Sequence, residues 1–162
     1  MAMEKICNDY EISEKTLALI PAYNLEFGTI AMEGKEEYYV KKTPLELIKH
    51  AALIGGAEYD GRRSSMSFLT GIKRKVPIPI NPRKNIYAFP TQSPSQMDCH
   101  WIFFSHVNHI SAAASVSNKE TTVLFQNGQK LQLKASAHTL DKQMYRTWMC
   151  VKALSGDSPL TP

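Results

Sequence analysis

The sequence is poor in the features that announce most protein classes. Its three cysteines, Cys7, Cys99 and Cys150, are odd in number and show no C-x-x-C spacing. That argues against a disulfide framework and suits reduced, buried thiols in a reducing compartment. Every apolar run is broken by charge or proline within about ten residues, against the ~20 needed to cross a bilayer. The first fifteen residues, MAMEKICNDYEISEK, lack the basic-then-apolar layout of a secretory signal. No G-x-S-x-G is present, the serines have no His and Asp setting, and Gly55-Gly56 and Gly61 do not form a strand-loop-helix phosphate cradle. Catalysis therefore has no positive sign, and the chain is expected to be a cytoplasmic protein that is not an enzyme and needs no cofactor.

One further absence points somewhere. Residues 61–97 contain no Asp or Glu, yet carry Arg62, Arg63, Lys73, Arg74, Lys75, Arg83 and Lys84. The net charge of +4 hides this concentration, because residues 1–60 hold 11 acids against 6 bases and residues 98–162 hold 6 bases against 4 acids. Short charge runs are usually solvated surface. Three basic clusters within 23 residues and no intervening acid instead suit a polyanion, and the commonest one inside a cell is nucleic acid. With Pro77, Pro79, Pro82, Pro90 and Pro94 in the same stretch, the segment reads as strands and loops rather than as a helix laced with salt bridges. Arginine beside the Asp60-Gly61 turn could approach a narrow minor groove while lysines hold phosphates.

At 162 residues, with 43% hydrophobic and 21% charged residues, one globular domain over residues 1–154 is expected, followed by a short flexible tail over residues 155–162. Residues 10–22 read as a strand stopped by Pro21, and residues 28–42 as a hairpin turning at Gly34. Thr43-Pro44 opens a helix with Leu45, Ile48 and Ala52 on one face, which Gly55-Gly56 ends. Residues 65–72 suggest a strand interrupted by Gly71, residues 76–80 an edge strand or extended loop, and residues 85–89 a better strand. Residues 91–96 form a polar surface loop. Residues 99–114 suit one long strand, and Asn127-Gly128 between two alternating runs is the strongest hairpin signal in the chain. A last helix carries the stripe Leu140, Met144, Trp148 and Val151, with Trp148 its anchor in the core and Lys142 and Arg146 facing away. The fold expected is α+β, mostly antiparallel sheet with two amphipathic helices.

The cluster Cys99, His100, His106 and His109 is the one place where metal could be suspected. If residues 101–110 are a strand, His106 and His109 point to opposite faces and cannot share an ion. No metal site is expected.

Residues 59–107 resemble the corresponding part of ComK, the competence transcription factor family of Gram-positive bacteria. The resemblance rests on Tyr59, Gly61, Arg62, Pro79, Asn81 or Pro82, Phe89-Pro90-Thr91, and Cys99 with Trp101, Ser105, His106 and Val107. It continues through Val123, Phe125, Asn127-Gly128 and Leu131 to Gln143 and Tyr145-Arg146-Thr147. It implies an activator of DNA-uptake genes that binds A·T-rich double-stranded DNA at paired A-tract and T-tract boxes, largely through the minor groove, as a homo-oligomer. Family members usually continue into a basic C-terminal tail bound by the adaptor MecA. Here residues 155–162 stand in that place, so MecA control does not carry over with the resemblance. Two other readings stay open: a short paralogue that binds a ComK-like partner without DNA activity, and a metal-dependent nuclease. The residues expected to meet DNA are Arg62, Arg63, Lys73, Arg74, Lys75, Arg83 and Lys84.

Overall fold

The computed structural model describes residues 5–112 and 120–156. Among the described residues, ten strands and three helices build a mostly antiparallel α+β fold. β1 (Ile6–Cys7), β2 (Thr16–Pro21), β3 (Thr29–Glu33) and β4 (Glu36–Val40) supply one half of a seven-stranded sheet. β5 (Ile78–Asn81), β6 (Ile86–Pro90) and β7 (Trp101–Phe103) supply the other. The order is β1-β4-β3-β2-β7-β6-β5, antiparallel except for the β1–β4 pair. The halves meet at a short seam where Ala18 faces Ile102 and Leu19 faces Trp101. β8 (Val107–Ala112), β9 (Thr121–Phe125) and β10 (Lys130–Leu133) form a second, three-stranded sheet.

The period-2 alternation of β6 and β7 shows how the layers stack. Ile86, Ala88, Trp101 and Phe103 point to one face, where they bury Leu47, Ile48, Ala51 and Ala52 of α1 (Pro44–Ile54). Phe89 and Ile102 point to the other, against Val107, Val123, Phe125 and Leu133 of the small sheet and Leu140 of α3 (Ala137–Leu154). A third cluster joins Met66, Ile72, Val76, Tyr87 and Cys150. Fully buried, Trp101, Phe89, Phe103 and Phe125 each remove some 150–250 Å² from water.

Local signals account for much of this. α1 has a capping box: Thr43 accepts from the Glu46 amide, the Glu46 carboxylate accepts from the Thr43 amide, and Pro44 takes the first turn. Gly34, at φ +57, turns the β3–β4 hairpin, and Gly128, at φ +92, turns β9 into β10. β5 is the free edge of the large sheet, where Pro79 costs no ladder bond.

Three expectations fail. Residues 59–70 are neither turn nor strand but a third helix, α2 (Tyr59–Thr70). All five prolines that argued against a helix stand at position 77 or later, and Gly71 at φ +80 is its left-handed C-cap. The long strand of residues 99–114 is instead β7 and β8, separated by a 3-10 turn at Phe104–His106 that moves the chain from one sheet to the other; its last two residues lie outside the described residues. The buried face of α3 is Leu140, Gln143, Thr147 and Cys150. Trp148 is 48% exposed and stacks on Tyr145 with ring centroids 5.9 Å apart, so it does not anchor the helix in the core. Most of the expected tail, residues 157–162, lies outside the described residues.

Candidate nucleic-acid interface

The basic run starts within α2, whose sequence YDGRRSSMSFLT has only Tyr59 and Met66 buried. A helix that buries so little leaves most of its perimeter in water. Arg63 is on that exposed perimeter, 4.0 Å from Asp60. Arg62 is not. Its guanidinium turns inward, where Nη2 donates to the Gly55 carbonyl at 3.0 Å, and Nε is the one buried side-chain polar atom without a partner among the described residues. Gly61 is inside the helix, so the glycine turn that singled out Arg62 for close approach does not exist. Gly55 itself is required by packing, because a Cβ there would fall on the Ile80 carbonyl oxygen.

Lys73, Arg74 and Lys75 make the link from Gly71 to β5. Lys75 sits at φ +52, a left-handed conformation uncommon for a side-chain-bearing residue. The link is held from a distance. The buried Gln143 of α3 donates through Nε2 to the Lys75 carbonyl at 2.9 Å, and Arg146 donates through Nη1 to the Arg74 carbonyl at 3.3 Å. Lys73 and Arg74 are exposed and Lys75 half-buried.

These cations line one open groove of roughly 810 Å³. Its walls include Arg63 and its ion-pair partner Asp60 from α2, the link Lys73-Arg74-Lys75, and the polar loop of residues 92–96. α1 adds a cation that the charge run did not contain, Lys49, whose Nζ is 5.8 Å from the Tyr59 ring centroid. Lys49 was hidden because it belongs to the net-acidic first third of the chain. Among the described residues the ion pairs are Lys42–Asp9 and Arg63–Asp60, so Lys49 and the three link cations keep their charge unpaired.

Arg83 and Lys84 do not join this groove. They occupy a 3-10 turn at Pro82–Lys84 beyond the far end of β5, and Lys84 borders a separate cleft with Glu14. The structure thus brings together Arg63, Lys73, Arg74 and Lys75, adds Lys49, sets Arg83 and Lys84 apart, and turns Arg62 inward.

The histidine cluster is dispersed by the 3-10 turn at Phe104–His106. His106, within it, places Nε2 at 2.6 Å from the Glu14 carbonyl, so that nitrogen carries the proton. His109 is in β8. His100 donates through Nδ1 to the Asp98 carbonyl at 3.1 Å, and burial holds its pKa below the usual 6.5. Burial also pushes the Cys99 thiol up, and the Cys150 thiol to about 12, so both stay protonated and unreactive at neutral pH.

The structure is thus an α+β protein with an open groove lined by cations from α1, α2 and the link to β5, with uncharged polar side chains along one wall. The family model for "ComK protein" matches residues 7–156. The chain belongs to the ComK protein family. It is similar to the competence transcription factor of Bacillus subtilis (strain 168), with 31% identity over 156 residues that cover 87% of this chain and 80% of that protein. No solved structure matches.

Proposed function

We propose that this protein is a transcriptional regulator of competence genes that binds A·T-rich duplex DNA as a homo-oligomer in the cytoplasm, at the nucleoid. The family membership and the competence transcription factor relative support the class. The observation that carries the DNA reading is the groove, where Lys49, Arg63, Lys73, Arg74 and Lys75 converge from separate elements. The charge left unpaired there, on Lys49 and the three link cations, suits a phosphate backbone.

In this reading Lys49, Lys73 and Lys75 hold phosphates, and Arg63 or Arg74 enters the narrow minor groove of an A-tract, where negative potential is strongest. Arg83 and Lys84 add phosphate contacts on the flanking DNA. Arg62 contributes by fixing α2 onto the end of α1 through Gly55, not by reading the groove.

Fluorescence-anisotropy titrations on A-tract and mixed-sequence duplexes over a salt series test this. Four or more phosphate contacts give a slope of log K against log salt steeper than about −3.5. A parent protein with no duplex affinity, or one equally tight on mixed sequence, would sink the proposal.

A further inference from the structure

The basic link is the least self-supporting part of the groove. Lys75 holds a left-handed backbone with a branched-off side chain rather than a glycine, a conformation that persists only where surroundings impose it. The surroundings here are two side chains of α3. Gln143 is 1% exposed, and both hydrogens of its Nε2 have carbonyl acceptors, Lys75 at 2.9 Å and Pro90 at 2.8 Å. One amide group therefore ties the basic link to the end of β6. Its Oε1 accepts from Arg146 Nη1 at 3.3 Å, and the same Nη1 donates to the Arg74 carbonyl. Two successive carbonyls of the link are thus held by one short stretch of α3.

A buried glutamine on a helix face otherwise made of Leu140, Thr147 and Cys150 is costly unless its hydrogen bonds are made. Here both polar atoms of the side chain have partners, and its two acceptors are backbone carbonyls, of Lys75 in the basic link and of Pro90 at the end of β6. Packing alone would be served by methionine or leucine at this position.

We propose that Gln143 is a positioning residue for DNA binding: with Arg146 it clamps the Lys73-Arg74-Lys75 link in the one backbone arrangement that presents its cations to the duplex. The inference rests on the DNA reading above. It makes α3, which lies outside the groove, a determinant of the groove's affinity.

Gln143→Met keeps the side-chain volume and removes both donors. At a temperature where the variant is folded by circular dichroism, its dissociation constant for A-tract duplex rises tenfold or more. Its salt slope becomes shallower by about 1 to 2, because cations that lose their register no longer displace counterions. Thr147→Val is the comparison, since Thr147 is fully buried one turn further along α3 and its hydroxyl donates only to the Gln143 carbonyl within the helix. That variant keeps the parent's affinity and slope. Should Gln143→Met not fold, Arg146→Lys decides, since it retains the charge and loses the paired contact: a threefold or greater loss supports the clamp and the parent's affinity overturns it. A folded Gln143→Met that binds with the parent's affinity and slope, or a Thr147→Val that loses as much, overturns the clamp while leaving the DNA reading intact. A parent without duplex affinity removes the DNA reading itself.

Discussion

Two short basic turns bracket the edge strand β5, and they are built on different principles. Both contain a left-handed residue, Lys75 at φ +52 in the first and Asn85 at φ +57 in the second. The second is held by its own neighbours: Asn81 accepts from the Lys84 amide through Oδ1, and the Asn85 amide donates to Pro82. Asparagine tolerates the left-handed region, so this turn needs no outside help. The first has a lysine there and is held by α3, 68 residues away. The two also differ in place: the distantly held turn, with three cations, lines the groove, and the self-contained one, with two, stands apart from it.

The comparison breaks most sharply under charge reversal. Replacing Lys73, Arg74 and Lys75 by Glu is expected to lower duplex affinity at least a hundredfold and to flatten the salt slope by about 2.7, at ~0.9 per lost contact. The same change at Arg83 and Lys84 should cost tenfold at most, with a slope change of about 1.8 or less. Equal losses from both sets, measured by anisotropy, would mean that the two turns are one interface.

Next in size is a change in the scaffold beneath both turns. Gly55→Ala would set a methyl group on the Ile80 carbonyl of β5, and overpacking of this kind costs ~1–3 kcal/mol. A denaturant midpoint equal to the parent's would show that α1 and β5 can separate without penalty. Asn81→Ala should be milder, about 1 kcal/mol as for other lost caps, and should leave A-tract affinity within twofold. A tenfold affinity loss would make the second turn as position-dependent as the first.

The smallest effect is a dependence on pH. Burial lowers the pKa of His100 below its ordinary 6.5, so the folded state binds fewer protons at this group than the unfolded chain does. The contribution of His100 to stability is present above 6.5 and is lost as pH falls through its folded pKa. Thermal midpoints taken from pH 7.5 down to 5 should decline more steeply for the parent than for His100→Gln. Parallel curves would show that His100 plays no part.

How much of this could be read from the residues depended on where each signal was located. α1 was legible because Thr43-Pro44 and Gly55 mark its ends and Ile48 and Ala52 share its buried face. The β9–β10 hairpin was legible from Asn127-Gly128. α2 was not, because Glu58 makes no side-chain cap, Asp60-Gly61 mimics a turn, and two buried residues leave almost no stripe. In α3 the polar Gln143 and Thr147 face inward, so a reading by hydrophobicity chose Met144 and Trp148 one residue along. Four of the seven cations of the basic run, Arg63, Lys73, Arg74 and Lys75, line one groove. Lys49 was missed because charge was counted along the chain, whereas the groove gathers it across three elements.

The distance between Lys75 and the residue that holds it also has a meaning in time. Protein synthesis delivers the basic link 68 residues before the glutamine that sets its backbone, and α3 is the last element among the described residues. Under the proposed clamp, a nascent chain presents its cations loosely while still on the ribosome, amid the densest polyanion in the cell. The link would then acquire its DNA-binding shape only when α3 docks. Chains arrested before Gln143 should bind A-tract and mixed duplex alike, weakly and without preference, so maturation of the last helix separates a merely charged polypeptide from a selective one.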